Sequence, residues 1–197
     1  MLQDLYNREP TQRGPKFRIA IAVLIFLVIS GIMFFTYNKD SNTLDFYRQY
    51  GYYTNPGEHA RLYKGLPESL PELCRLIKAQ LSHPVDLPNY PDMIGIRQDG
   101  LYPTVSSMLA GLLEHNPAGL TYDRKPEQRL IVTCRYHAIL LASILKERGI
   151  PVRVRYGFAH YLYPGYHVYH AICEVWNEKE QRWMLVDPDR QLVDFPR

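Results

Sequence analysis

Apolar and polar positions along this chain change period several times, and each change marks an element. From Ile19 to Tyr37 there is no alternation at all: IAIAVLIFLVISGIMFFTY carries no charge. As a helix it would rise about 28 Å, close to the hydrocarbon thickness of a bilayer. It ends in MFFTYNKD, without a small-residue cleavage site or a following cysteine for lipid attachment, so an uncleaved transmembrane anchor is expected rather than a secretion signal. Residues 38–66 lose periodicity and gain turn formers (YYTNPGEHARLYKGLP), as a juxtamembrane stem would. A helical stripe follows over Pro71–Leu81, made by Leu73, Leu76, Ile77 and Leu81, and prolines break it in SHPVDLPNYPD. Val105–His115 gives a second helix with Met108, Leu109 and Leu112 inward.

The third helix has the clearest limits. Thr133 stands where a cap belongs, Cys134 opens the first turn, and Ile139, Leu140, Ser143 and Ile144 line neighbouring turns. Gly149 and Pro151 stop it. Then the period drops to two. In PVRVRYGFA, Val152, Val154 and Tyr156 alternate with Arg153 and Arg155, and Tyr169–Trp176 and Arg182–Asp187 read as two more strands around the polar turn NEKEQ. A helix followed by an antiparallel meander gives an α+β fold. The expected organisation is a tail (1–18), an anchor (19–37), a stem (38–66) and one folded domain (67–197).

Charge adds an orientation. Arg8, Arg13, Lys16 and Arg18 precede the apolar stretch, against Lys39 and Arg48 after it, so the tail is expected on the cytoplasmic side and the domain outside: a single-pass membrane protein with an extracytoplasmic domain. The net charge of +3 is spread along the chain with no basic block among stacking aromatics, which leaves nucleic-acid binding without support. Tyrosines gather at 47–63 and 156–169, as amphipathic packing at a core edge or as a ligand-facing wall. The three cysteines, Cys74, Cys134 and Cys173, leave at least one thiol unpaired, and a Cys74–Cys173 bridge stays open.

Taken alone, Cys134 could be a core thiol, a metal ligand or a nucleophile. The first turn of a helix favours a thiolate, because unsatisfied backbone N–H groups and the helix dipole stabilise negative charge there. The same N–H groups could receive the oxyanion of a tetrahedral intermediate. A thiolate works best beside an imidazole oriented by a carboxylate. Of His137, His160, His167 and His170, only His170 lies on a strand, sharing a face with Ile172, Glu174 and Trp176. His160 and His167 fall in the loop HYLYPGYH, as solvated or lid residues, and His137 reads as a bystander. Asp187 ends the next strand, and counting back from NEKEQ puts it near His170. A zinc site could be drawn from Cys134, His137, His167, His170 and Cys173: the first pair, three apart on a helix, could share a metal, but the trio on the strand could not, because each step of three reverses the face.

The segments TCRYHAILLASILKERGIPVRVRYGF, HAICEVWNEKEQRW and LVDP resemble the core of the transglutaminase-like superfamily of papain-like folds, over residues 130–190. The resemblance rests on Cys134 with Ala138, on Gly149-Ile150-Pro151 with Arg153, on His170 with Glu174, and on Trp183 with Asp187-Pro188. Tyr169 departs from the acidic residue many members place before the histidine. The resemblance implies a papain-like core and a triad of Cys134 as nucleophile, His170 as base then acid, and Asp187 as orienter. It also implies thiol-dependent amide hydrolysis or acyl transfer through a thioester, on a peptide or protein amide that includes cell-wall peptides. No metal or organic cofactor is required. The rival is a catalytically silent copy of the fold serving as a surface binding module.

Overall fold

The computed structural model describes residues 15–89 and 97–196; the side chains of 15–20, 34–42, 88 and 89 lie outside that description. The chain divides after Thr43 into two compact units. Helix α1 spans Pro15–Arg48, and within the first unit its apolar side chains are exposed along Ile21–Met33. Among the described residues no helix is long and apolar enough to cross a membrane. The anchor expected over 19–37 lies partly outside them, since its side chains are described only for 21–33.

The second unit begins at Leu44 and so takes in much of the expected stem. The segment is folded because it has partners. Tyr63, at the end of a 3-10 turn, is buried with its hydroxyl 2.7 Å from Ser143 Oγ, and Lys146 Nζ donates to the Gln49 carbonyl at 2.7 Å. Stem residues therefore cap one side of the core that short-range periodicity could not connect to them.

Helix α2 (Leu70–Gln80) leads straight into β1 (Leu81–Ser82), and α3 (Val105–His115) is closed at its N-terminus by a Thr104/Ser107 capping box. Strand β2 (Leu130–Ile131) pairs in parallel with β1, Leu81 opposite Leu130 and Ser82 opposite Ile131. Helix α4 (Cys134–Glu147) is buried at every position from Tyr136 to Leu145, as a helix at the centre of a domain must be. It ends in a Schellman motif: Gly149 N–H donates to Lys146 O, Ile150 N–H donates to Leu145 O, and Gly149 takes φ 68°.

Strands β3 (Val152–Ala159), β4 (Val168–Asn177), β5 (Arg182–Asp187) and β6 (Leu192–Val193) form an antiparallel sheet in chain order. Ala171, Cys173 and Val175 of β4 turn to α4, with Val152 and Val154 beside them. Cys173 comes so close that its Sγ lies 3.2 Å from the carbonyl of Ala138. A large side chain at 138 would hold β4 off the helix, which is the physical reason for a small residue four positions after Cys134. On the opposite face Arg153 and Glu174 sit directly across from each other and bond at 2.5 Å, with Arg155 also on Glu174 and the Arg153 guanidinium 4.4 Å over the Trp183 ring. Those three motif residues clamp the sheet.

Two sequence expectations change. The buried face of β3 stops at Val154; Tyr156 and Phe158 on the same face are exposed because they extend past the end of α4. Thr133 occupies the cap position without capping: its hydroxyl and its N–H both donate to Asp99 Oδ1, at 2.8 and 3.2 Å.

Candidate active site

Two pieces of backbone bring the site together. The parallel pair β1–β2, extended by Val132 N–H donating to Ser82 O at 3.0 Å, ends with both chains leaving side by side, one into His83 and the other into Thr133 and Cys134. The antiparallel pair β4–β5 runs from Asn177↔Arg182 to Cys173↔Val186, so the next step sets Asp187 opposite Ile172. His170 is one position further along the same face, a diagonal neighbour of Asp187. Cys134 and His170 are 7% and 5% exposed and Asp187 is fully buried, so the three meet in a nearly dry place with only the reactive edge open.

His170 Nε2–H donates to Asp187 Oδ2 at 2.8 Å, which leaves Nδ1 for the thiol. Asp187 is held from every side. Tyr161 O–H donates to the same oxygen at 2.7 Å, and the backbone N–H groups of Asp189 and Arg190 donate to Oδ1 at 3.0 and 3.1 Å. Cys134 Sγ lies among His170, His83 and the backbone N–H of Ala171, and hydrogen bonding from each favours its thiolate. Burial pushes its thiol up, but those hydrogen bonds and the charge of His170 outweigh it and bring it down to about 6. Burial works against a charged His170 as well, and the bonds to Asp187 and Cys134 lift it to about 9. Each group favours the ionised form of the other: a thiolate–imidazolium pair at neutral pH.

Thr133, bound to Asp99, leaves the first-turn N–H groups of α4 without a side-chain cap. The N–H of Cys134 itself has no carbonyl one turn earlier to bond, so it can meet an anion beside the sulfur.

The remaining candidates separate cleanly. His137 lies one turn along α4 from Cys134 and is wholly buried; its Nδ1–H donates to Thr133 O at 3.2 Å, its Nε2 is 3.6 Å from Asp189 Oδ1, and burial pushes it down to about 4. His160 and His167 are exposed in the β3–β4 loop with ring centroids 4.5 Å apart. Cys74 and Cys173 are buried free thiols, each pushed up chiefly by burial, Cys74 to about 12. Among the described residues no group of three or more His, Cys, Asp or Glu side chains could hold a metal ion.

Tyr161 and His83 escaped the sequence reading. Tyr161 sits in a loop with no period, and nothing local couples it to Asp187. His83 follows a strand of two residues, too short to leave a pattern; only its pairing with β2 brings it to Cys134.

Beyond the end of α4 an aromatic shelf continues the site. Tyr156 and Tyr169 stack at 6.1 Å, Phe158 meets Tyr169 edge-on at 6.4 Å, and Arg135 lies 4.5 Å over Tyr53. His170 also borders an apolar cleft of about 230 Å³ lined by Phe158, Tyr161, Ile172, Leu185 and Phe195, with Arg155 among its polar residues.

No curated protein matches this chain in sequence. A solved structure of a candidate cysteine protease from Cytophaga hutchinsonii is 17% identical, over 74% of this chain and 42% of that one, with a TM-score of 0.46. This chain therefore spans less than half the length of that protein. The model of the transglutaminase-like superfamily matches residues 123–188, the stretch that holds α4, β3, β4 and β5 with Cys134, His170 and Asp187, so this chain carries a transglutaminase-like domain.

Proposed function

We propose that this chain is a thiol-dependent amide hydrolase or acyltransferase in which Cys134 is the nucleophile, His170 the base and then the acid, and Asp187 the group that orients His170. The reading rests on one observation above the others: a thiol at a helix N-terminus lies against an imidazole whose far nitrogen is fixed 2.8 Å from a buried, fully bonded carboxylate. The thiolate attacks an amide carbonyl carbon. The tetrahedral intermediate collapses as His170 gives its proton to the departing amine, which leaves a thioester on Cys134. Water, deprotonated by His170, completes hydrolysis; a second amine in its place completes transfer. None of these steps calls for a metal or an organic cofactor.

The substrate we assign is a peptide or protein amide, with cell-wall peptides included. The aromatic shelf and the apolar cleft meet at Phe158 next to His170, which suits a peptide that sets a hydrophobic side chain beside the reacting amide. We further propose that residues 19–37 anchor the protein in a membrane with the tail cytoplasmic and the domain outside. The support is the uncharged apolar run and the excess of basic residues before it.

Amine release from peptide mixtures, peptidoglycan stem peptides and glutamine-bearing proteins tests the enzymatic reading. The full chain is expected to release amine and its Cys134→Ser form is not; an added primary amine that becomes incorporated identifies transfer. Release no greater than that of Cys134→Ser with all three substrate classes contradicts an enzyme.

A further inference from the structure

His83 sits beside the nucleophile by construction, since the parallel pairing of Leu81–Ser82 with Leu130–Ile131 delivers it and Cys134 from adjacent chain ends. Its ring is oriented on one side by Val85, whose backbone N–H donates to His83 Nδ1 at 3.2 Å. A nitrogen that accepts a hydrogen bond carries its lone pair there, so the ring proton of neutral His83 is on Nε2. The His137 ring, 6.4 Å away and fixed by Thr133 O, packs beside it. The ring is half-buried, and the bond from Val132 N–H to Ser82 O keeps its chain beside the one that leads into Thr133 and Cys134, close enough for His83 to favour the Cys134 thiolate.

We infer that His83 Nε2–H is an oxyanion donor, acting together with the backbone N–H of Cys134. This rests on the acyl-transfer reading above. When Sγ attacks, a C–S bond forms and the carbonyl π pair moves onto oxygen. That oxygen develops beside the sulfur, where the β1–β2 pairing delivers His83, and His83 Nε2–H donates to it without giving up the proton. On collapse the pair returns to re-form C=O, the C–N bond breaks and His170 protonates the nitrogen. Two imidazoles thereby divide the work: His170, tied to a carboxylate, moves protons, and His83, tied to a backbone N–H, only donates. A donor lined up on a developing oxyanion is worth about 10²–10³ in rate.

Two probes of Cys134 separate this role from a general effect on the thiol. Iodoacetamide alkylates by displacement at carbon and makes no oxyanion, whereas p-nitrophenyl acetate acylates through a tetrahedral one. Both are measured on the full chain, as rates at the plateau of each pH profile and with unfolding midpoints checked. His83→Ala is expected to slow acylation by about 10²–10³ while alkylation stays within about threefold of wild type, and His83→Gln, which restores an N–H donor, is expected to recover most of the loss. Equal slowing of both reactions, no slowing of either, or a His83→Gln form no better than His83→Ala overturns the assignment. A wild-type chain that reacts with neither probe at Cys134 overturns the acyl-transfer reading itself, and this inference with it.

Discussion

Cys134 and His170 share one proton balance, so neither titrates alone. On the acyl-transfer reading, the thiolate is protonated and lost below about 6, and above about 9 His170 has no proton to give the leaving amine. Turnover is therefore expected to follow a bell with limbs near those two values, measured as kcat/KM against pH. Asp187→Asn removes the charge that lifts His170, so the alkaline limb is expected to move down toward the ordinary histidine value of about 6.5 as the rate falls about 10²–10⁴-fold. An alkaline limb that stays in place would show that Asp187 does not hold the imidazolium. Local pattern made these residues legible: a thiol opening a helix, a histidine on the apolar strand that follows, an aspartate ending the next. Tyr161 and His83 were not, because each takes its role from a partner far away in sequence.

At the scale of elements, the limits of α4 and β5 were readable because their signals are local, with Gly149 and Pro151 closing one and Pro188 following the other. Two-residue strands carry no period, so β1 and β2 were invisible, although their pairing is what brings His83 beside Cys134. The capping inference for Thr133 failed because Asp99 competes for its hydroxyl. Gly149 holds φ 68°, where a Cβ is strained, so Gly149→Ala is expected to lower stability by about 1 kcal/mol in chemical denaturation without altering Cys134 reactivity. Glu174 is 1% exposed between two arginines, and removing Arg153 leaves a buried carboxylate with a reduced set of partners. Arg153→Ala is expected to cost about 1–3 kcal/mol by the same measurement. Burial pushes the Glu174 carboxyl up and the arginines more than offset it, so its folded value lies below the unfolded one. Its contribution is thus present at neutral pH and lost as pH falls through the folded value; no acid sensitivity beyond that of a Glu174→Gln form would contradict the clamp.

For the whole molecule, the apolar run and the folded domain make separate claims. The full chain is expected to float with phosphatidylcholine–phosphatidylglycerol vesicles in a density gradient, and a chain without residues 1–37 to stay behind; equal sedimentation of both contradicts the anchor. The domain's central claim concerns its thiols. All three are buried and free, yet only Cys134 is drawn below the ordinary range, while burial pushes Cys74 and Cys173 above it. The most direct measurement is alkylation of the full chain by iodoacetamide as a function of pH, with the adduct located by mass spectrometry. Labelling is predicted at Cys134 alone, rising with an inflection near 6, well below the ordinary thiol value of about 8.5, and losing that inflection in His170→Ala. Labelling that begins only at alkaline pH and is unchanged by His170→Ala would contradict the account.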